Sequence, residues 1–178
     1  MSYFSYFPQG YYVINQTSGP KLVTNLLRRV KIKSKIRDMA SLYDLYDVKE
    51  GETPESIAYK HFGDTELHWV ILMLNDITDR YYGWPLRSNE FEQYVNDKYE
   101  NPYGIHHYEI NQLSGPKTGL GPSDYSTKIQ VNSDYPGATT VTNYEYEQRL
   151  QDQKRQIKLL NPIYLNVLIQ EFQNLIIK

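Results

Sequence analysis

Histidine is the side chain best suited to bind a metal or move a proton near neutral pH, and the chain has four histidines. His61 and His68 fall on two different predicted helices, while His106 and His107 are neighbours in a predicted strand, where alternation points them to opposite faces. No His-x-x-x-His or His-Glu-x-x-His spacing occurs. Metal sites and general bases need convergent partners. We therefore predict no catalytic residue, no metal site and no cofactor, and we expect that the protein is not an enzyme.

Composition narrows the remaining classes of function. The 178 residues include no cysteine, which excludes thiol chemistry, disulfide scaffolds and cysteine-ligated zinc. A formal net charge of −2 argues against a general nucleic-acid binder. The most apolar stretch, residues 157–177, is interrupted by two charged residues, an asparagine and a proline, so it does not resemble a membrane span. We expect neither nucleic acid nor membrane as a partner.

Tyrosine is the most unusual feature of the composition, with 18 copies. Its apolar body and polar tip suit contact surfaces. The first twelve positions hold a dense aromatic group that so short a segment cannot bury by itself. We predict that this group is an arm that lies on a partner protein, through Tyr3, Phe4, Tyr6, Phe7, Tyr11 and Tyr12.

A basic run follows a short helix predicted near residues 22–31 from the spacing of its leucines. Six of the ten residues from 28 to 37 are cations: Arg28, Arg29, Lys31, Lys33, Lys35 and Arg37. Clustered cations can neutralise the phosphates of nucleic acids or membranes. Because the chain as a whole is acidic, the preferred interpretation is a basic strip that faces acidic surfaces of partner proteins.

Residues 43–100 carry the clearest local signals. A short strand at 46–48 precedes a helix with Thr53 as N-cap, Pro54 in the first turn and Gly63 as a left-handed cap. A second helix, apolar nearly all round and therefore buried on most sides, runs to about residue 74. A second short strand is predicted at 84–86, and Ser88 is predicted to cap a third helix.

The rest of the chain is predicted to contain a strand at 105–111, an irregular excursion over 111–143 and a polar helix at 143–156. Pro162 separates that helix from a last one, whose apolar residues form a stripe. We predict that this stripe packs on a partner or on a neighbouring copy, through Leu165, Leu168, Ile169, Phe172 and Ile176.

The segment Tyr46-Asp-Val-Lys-Glu-Gly-Glu-Thr-Pro-Glu-Ser-Ile-Ala58 resembles the start of a LysM module, and Leu72 with Asn75 resembles the end of its second helix. The resemblance covers about residues 46–87 and implies a βααβ unit with both helices on one face of a two-stranded sheet. It also implies a groove that binds N-acetylglucosamine in peptidoglycan or chitin, which is the alternative function. That groove would be formed by Gly51, Glu52, Thr53, Pro54, Asn75, Asp76, Ile77 and Thr78.

A wider resemblance covers most of the chain. Seven short segments occur in order: Tyr6-Phe7-Pro8, Leu27-Arg28-Arg29-Val30-Lys31, Tyr59-x-x-Phe62-Gly63-Asp64, Glu66-Leu67-His68-Trp69-Val70-Ile71-Leu72, Tyr81-Tyr82-x-Trp84-Pro85-Leu86, His107-Tyr108 and Arg155-Gln156-Ile157-Lys158. Together they resemble the small baseplate wedge subunit of contractile-tailed bacteriophages. The resemblance implies a structural protein of the virion tail baseplate, made in the host cytoplasm, that clamps or bridges neighbouring wedges around the hub. The implied partners are larger wedge subunits and a sheath-initiator-like protein, with no glycan expected.

These observations predict an α+β protein with a central LysM-like βααβ domain, an extended N-terminal arm and a loop-rich, helical C-terminal extension. The predicted boundaries are 1–42 for the arm and short helix, 43–100 for the LysM-like domain with the following helix, 101–143 for the strand and excursion, and 144–178 for the C-terminal helical extension.

Overall fold

A computed structural model describes residues 3–13, 19–32, 39–111 and 128–177. Its strands are β1 (Gln9–Tyr12), β2 (Lys21–Thr24), β3 (Tyr43–Asp47), β4 (Ile105–Asn111), β5 (Lys128–Val131), β6 (Thr139–Thr142) and β7 (Gln156–Leu160). Its α-helices are α1 (Pro54–Phe62), α2 (His68–Leu74), α3 (Arg80–Gly83), α4 (Ser88–Lys98), α5 (Asn143–Arg155) and α6 (Leu165–Ile177). Short 3₁₀ turns are formed by Tyr3–Tyr6, Ala40–Leu42, Thr65–Leu67 and Pro162–Tyr164. This mixture confirms the predicted α+β class.

The chain divides into two compact units, which group the sequence differently from the four predicted segments. Unit 1 combines Met1–Pro85 with Lys154–Lys178, and unit 2 is Leu86–Gln153. The grouping arises because β3 and β7, more than a hundred residues apart, form an antiparallel pair from Tyr43↔Leu160 to Asp47↔Gln156. Residues 154–178 of the predicted C-terminal extension therefore group with unit 1, and residues 144–153 group with unit 2.

The pairing of β3 corrects the predicted second strand at 84–86. That segment forms no strand, and β3 pairs with β7 instead. Trp84 is buried, and its indole Nε1 donates a 2.8 Å hydrogen bond to the backbone oxygen of Glu52. Pro85 lacks an N–H that a ladder would need. A LysM-like unit built from residues 46–87 is therefore not confirmed.

Helix α1 forms as its local signals predict. Thr53 accepts a hydrogen bond from the Ser56 backbone N–H, and Ser56 reciprocates with the Thr53 N–H, which completes a capping box. Pro54 occupies the first turn. The helix ends at Gly63, whose φ of 79° is the left-handed conformation that glycine adopts without steric cost.

Helix α2 lies between two apolar clusters, which confirms the prediction that it is buried on most sides. Asp64 caps the preceding 3₁₀ turn, and α2 ends at Asn75. Trp69 and Val70 belong to a first cluster, while Ile71 belongs to a second cluster with residues of α1 and β7. The helix is short, and its stability comes from this packing rather than from its length.

The N-terminal region of unit 1 contains a β-hairpin where a helix near 22–31 was predicted. Strand β1 pairs antiparallel with β2, from Gln9↔Thr24 to Tyr12↔Lys21. The leucines at 22, 26 and 27 have helical spacing, but only Lys21–Thr24 forms a regular element, and it is extended. The ladder with β1 satisfies backbone groups that a helix would otherwise bond internally.

The apolar stripe of α6 packs inside unit 1, which corrects its assignment to a partner. Phe172 and Ile176 are almost fully buried beside Trp69, Tyr6 and Phe7. The other stripe residues are partly buried against the same cluster: Leu165, Leu168 and Ile169. The stripe is therefore core, because the N-terminal turn and α2 of the same chain cover it.

Unit 2 contains a three-stranded antiparallel sheet in the order β5-β4-β6. The predicted strand at 105–111 is confirmed as β4. The predicted irregular excursion over 111–143 is wrong for 128–131 and 139–142, which pair with β4 on its two sides. The remainder of that segment, 112–127, lies outside the described residues.

A bulge in β4 also corrects the predicted placement of its two histidines on opposite faces. The register with β6 shifts between Ile105 and His107, leaving His106 as the extra residue. A bulge re-aims side chains that simple alternation would separate. The two imidazoles are consequently neighbours, with Nδ1 atoms 2.8 Å apart, and both rings contact Tyr146.

The helices of unit 2 follow their sequence signals closely. Helix α4 begins at Ser88 with Arg87 in the cap position, one residue earlier than predicted, and it buries Phe91 and Val95. The predicted polar helix at 143–156 is α5, which ends at Arg155. Within the described ranges, no helix has the length and apolar character that crossing a membrane requires.

Candidate functional site

A groove of about 570 Å³ lies on unit 1 between the N-terminal segments and α2. One wall is formed by residues of the Tyr3–Tyr6 turn and by residues 26–31, and the other by α2 and residues 76–78. The groove therefore joins parts of the predicted aromatic arm, the predicted basic strip and the loop after α2. No spacing in the sequence indicates this juxtaposition, because the walls are more than 35 residues apart.

The floor of the groove is aromatic and apolar. The rings of Tyr3 and Trp69 have centroids 5.4 Å apart, and Phe7 lies 5.0 Å from Tyr3 in an edge-on contact. Leu72 and Met73 of α2 continue this surface. Aromatic rings bury large areas at low cost in side-chain entropy, which suits them to contact another chain.

Trp69 leaves one polar atom without a partner. Its side chain is only 5% exposed, and its indole Nε1 has no hydrogen-bond acceptor among the described residues. A buried donor without an acceptor costs roughly 1–3 kcal/mol. Trp69 also lines the groove.

The rim of the groove is basic. Arg28 donates a hydrogen bond to the backbone oxygen of Ile176 at 3.2 Å, next to the C-terminal end of α6, where a cation is favoured. Lys31 forms a 2.8 Å ion pair with Asp76. Arg29 is exposed and has no ion pair among the described residues. The charged residues that line the groove are thus three cations and one carboxylate.

The β1–β2 hairpin is a second candidate contact surface. Four of its apolar side chains project into solvent: Tyr11, Tyr12, Leu22 and Val23. Leu26 and Leu27 follow it directly, and Leu27 is 97% exposed. Isolated apolar residues are normal on a surface, but a cluster of this kind marks an interaction site.

The structure divides the residues that were predicted to bind partners into three groups. Tyr3, Phe4, Phe7, Arg28, Arg29 and Lys31 line the groove, and Tyr11 and Tyr12 lie on the hairpin. Tyr6 joins the core cluster together with Phe172 and Ile176. Lys33, Lys35 and Arg37 lie outside the described residues.

In the predicted sugar groove, Glu52 and Asn75 already have partners within the chain. The Glu52 carboxylate accepts hydrogen bonds from the Tyr46 hydroxyl at 2.8 Å, Lys60 at 2.6 Å and the Lys49 backbone N–H at 2.9 Å. Burial alone would raise the pKa of Glu52, but these donors outweigh it and hold the pKa below its ordinary value. The Asn75 amide bonds both backbone groups of Lys158 in β7 at 2.8 Å.

The other predicted sugar-site residues are spread over different roles. Thr53 caps α1, and Pro54 is buried. Gly51 is exposed in the turn before α1, with φ 75°. Asp76, Ile77 and Thr78 line the groove, in the wall that α2 also forms.

Unit 2 carries two buried carboxylates, each with cationic partners. Glu109 in β4 accepts two hydrogen bonds from Arg149 at 2.7 and 3.1 Å and lies 3.4 Å from Lys128. These hydrogen bonds keep the pKa of Glu109 below its ordinary value. Glu147 in α5 accepts 2.7 Å bonds from both Lys98 and Tyr99. Burial raises the pKa of Glu147, but these donors outweigh it and leave the pKa lowered.

Both carboxylates have cationic partners within the chain. Each is matched to a nearby cation, as buried charges require. In the part of the chain that the structure describes, no group of three or more histidine, aspartate or glutamate side chains is arranged to hold a metal ion.

The structure is that of a small α+β protein whose unit 1 carries an apolar groove with a basic rim and an exposed hairpin. Residues 3–117 match the model of the family described as Base plate wedge protein 53. The chain therefore belongs to the Base plate wedge protein 53 family, whose members are structural proteins of the phage baseplate. It is similar to the Baseplate wedge protein gp53 of Enterobacteria phage T4, with 27% identity over 157 residues that cover 83% of this chain and 80% of the relative.

Proposed function

We propose that this protein clamps neighbouring wedge subunits around the hub of the tail baseplate. The observation that carries the proposal is the exposure of apolar side chains on the hairpin and the adjoining turn, where Tyr11 is 77% and Leu27 97% exposed. Unit 1 thus offers apolar surface that its own core does not use. Because the chain belongs to a baseplate wedge family, other baseplate proteins are the candidates to bury this apolar surface.

The hairpin itself supports this proposal. A two-stranded hairpin is at best marginally stable in water without a hydrophobic face to pack against. Strands β1 and β2 pair only with each other among the described residues, and seven of their eight residues are exposed. A partner that packs on the hairpin would bury its tyrosines and stabilise the pairing.

Several linked contacts would give the clamp its strength. The hairpin and the groove are separate surfaces on one unit, so binding at one raises the effective concentration at the other. Weak contacts can then hold an assembly that neither contact would hold alone. The basic rim would contribute speed and specificity of docking more than affinity.

The partners and location follow from the same proposal. The larger wedge subunits, a sheath-initiator-like protein and the neighbouring wedge are the candidate neighbours. The protein would be made in the host cytoplasm and act in the virion tail baseplate. Sugar binding gains no support from the geometry, because Glu52 and Asn75 are held by hydrogen bonds within the chain.

The clamp is tested by assembling wedges from the other baseplate proteins of the same phage, with and without this chain. We expect single wedges without it and joined wedges with it, as seen by electron microscopy. A Tyr11→Ser, Leu22→Ser hairpin variant should join wedges poorly, whereas Leu45→Ser, on exposed β3, should behave like the wild type. Efficient joining without the chain would overturn the proposal.

A further inference from the structure

We infer that the groove on unit 1 is a docking site for an acidic, partly apolar segment of another baseplate protein. The inference rests on the proposed function and adds the chemistry of the partner at one surface. Two independent features carry it: the charge of the rim, and the indole donor of Trp69 that lacks an acceptor.

The positive charge of the rim favours a partner segment with negative charge. Arg28, Arg29 and Lys31 line the groove, and Asp76 is the one carboxylate among its lining residues. Because Lys31 already pairs with Asp76 at 2.8 Å, the groove keeps an excess of positive charge. Carboxylates of a partner fit this rim, and arginine binds them through two parallel hydrogen bonds.

The apolar floor of the groove favours a partner segment that also carries apolar side chains. Phe4 is 59% exposed, and Tyr3, Leu72 and Met73 are half-buried, so these lining residues form an apolar surface that a purely acidic segment would leave uncovered. The occupant therefore presents apolar side chains to the floor and carboxylates to the rim. The next residues of this chain, 33–38, carry three cations and one aspartate, so their charge is of the wrong sign for this rim.

Trp69 supplies the second feature. Its Nε1 is buried, lacks an acceptor among the described residues and belongs to a side chain that lines the groove. A carboxylate or a backbone oxygen of the occupant supplies the missing acceptor. Because Nε1 is shielded from solvent in the free chain, the inference requires that a lining side chain move when the occupant binds.

The segment is identified by photo-crosslinking within assembled wedges of the same phage. A benzoylphenylalanine at Thr78, an exposed residue that lines the groove, should crosslink to one segment of another wedge protein that is rich in aspartate or glutamate. The same probe at Tyr59, exposed on α1 and not part of the groove, should not reach that segment. Crosslinks from Thr78 to a basic or neutral segment, to a second copy or to nucleic acid would overturn the inference.

Two substitutions test the two features separately. Arg29→Glu should lower the crosslink yield about tenfold, while Lys49→Glu, an exposed lysine outside the groove, should not. Trp69→Phe keeps a ring but removes Nε1. It should lower the yield about fivefold. Urea unfolding of the free variant is compared with that of the wild type, because the smaller ring also leaves a cavity in the core cluster. An unchanged yield in either variant would contradict the role given to that residue.

The outcome separates this inference from the proposed function. If the chain enters wedges and joins them but Thr78 gives no crosslink, the groove is not a docking site and the clamp stands. If the chain does not join wedges at all, the proposed function fails, and the inference fails with it.

Discussion

At the scale of single residues, unit 1 depends on a few polar side chains that connect distant segments. Asn75 is the clearest case. Its amide nitrogen donates to the Lys158 backbone oxygen, its amide oxygen accepts from the Lys158 N–H, and it also bonds the Ile71 oxygen at 2.9 Å. One side chain thus joins the end of α2 to β7, much as a neighbouring strand would.

Replacing Asn75 should therefore cost more than the loss of an ordinary surface amide. Asn75→Ala leaves the two backbone groups of Lys158 without these partners, so we expect a loss of about 2–3 kcal/mol in the free energy of unfolding. Urea unfolding of the full chain followed by tryptophan fluorescence reports on unit 1, because Trp69 and Trp84 both lie there. Asn166→Ala, exposed on α6, is the control, and equal effects of the two changes would contradict the role of Asn75.

The carboxylates of unit 2 should make that unit sensitive to acid. The pKa values of Glu109 and Glu147 are lowered in the folded chain. Their contribution to the free energy of unfolding is present above about pH 4.5, the pKa of a glutamate in the unfolded chain. It is lost as the pH falls through the lower pKa values of the folded chain. We expect near-ultraviolet tyrosine dichroism to decline below about pH 5.

Glu109→Gln tests one of these two contributions. It removes the charge-assisted pair with Arg149, which is half exposed, so we expect about 1–2 kcal/mol of destabilisation at pH 7 after solvent screening. The variant should also lose less stability between pH 7 and pH 4 than the wild type. Glu92→Gln, exposed on α4, should retain the wild-type pH profile, and an unchanged profile for Glu109→Gln would refute this account.

At the scale of elements, the sequence predicts what local chemistry determines. The Thr53 cap, the Gly63 stop and strand β4 all follow from signals within a few residues. The partner of β3 does not, because it is a five-residue strand more than a hundred residues away, and nothing local to either strand specifies the other. The same limit explains the groove, whose two walls are more than 35 residues apart along the chain. The hairpin was missed for a different reason, since the leucines at 22, 26 and 27 have helical spacing.

Helix α6 illustrates how an apolar stripe can be assigned to the wrong surface. An amphipathic helix far along the sequence from a predicted domain indicates that something covers its stripe, but not which chain does so. The structure provides that cover from the N-terminal turn and α2, which lie against Phe172. The distance along the sequence was therefore a poor guide to the distance in space.

The buried stripe gives a prediction at the scale of this element. Phe172→Ala should lower the free energy of unfolding of unit 1 by about 3–5 kcal/mol, because it opens a cavity among aromatic rings. Val167→Ala, on the exposed side of α6, should change it by less than about 0.5 kcal/mol. Urea unfolding compares the two. If Phe172→Ala kept full stability but failed to enter wedges, the stripe would be a partner surface after all.

At the scale of the whole molecule, the many tyrosines have two roles: some pack in the core, and others lie on an exposed surface that could contact a partner. Tyr6 completes the core of unit 1, while Tyr11 and Tyr12 project from the hairpin. The family explains why such a surface is present, since a baseplate wedge protein acts among other proteins. The clamp proposal assigns the hairpin and the groove to different neighbours.

Cryo-electron microscopy of the intact baseplate of this phage tests the clamp most directly. The account predicts that strands β1 and β2 and the groove beside Trp69 are each covered by other chains. It also predicts that at least two different neighbours are involved and that a carboxylate-bearing segment lies along Arg29. A baseplate in which both surfaces face solvent, or in which the protein contacts a single neighbour, would contradict the account.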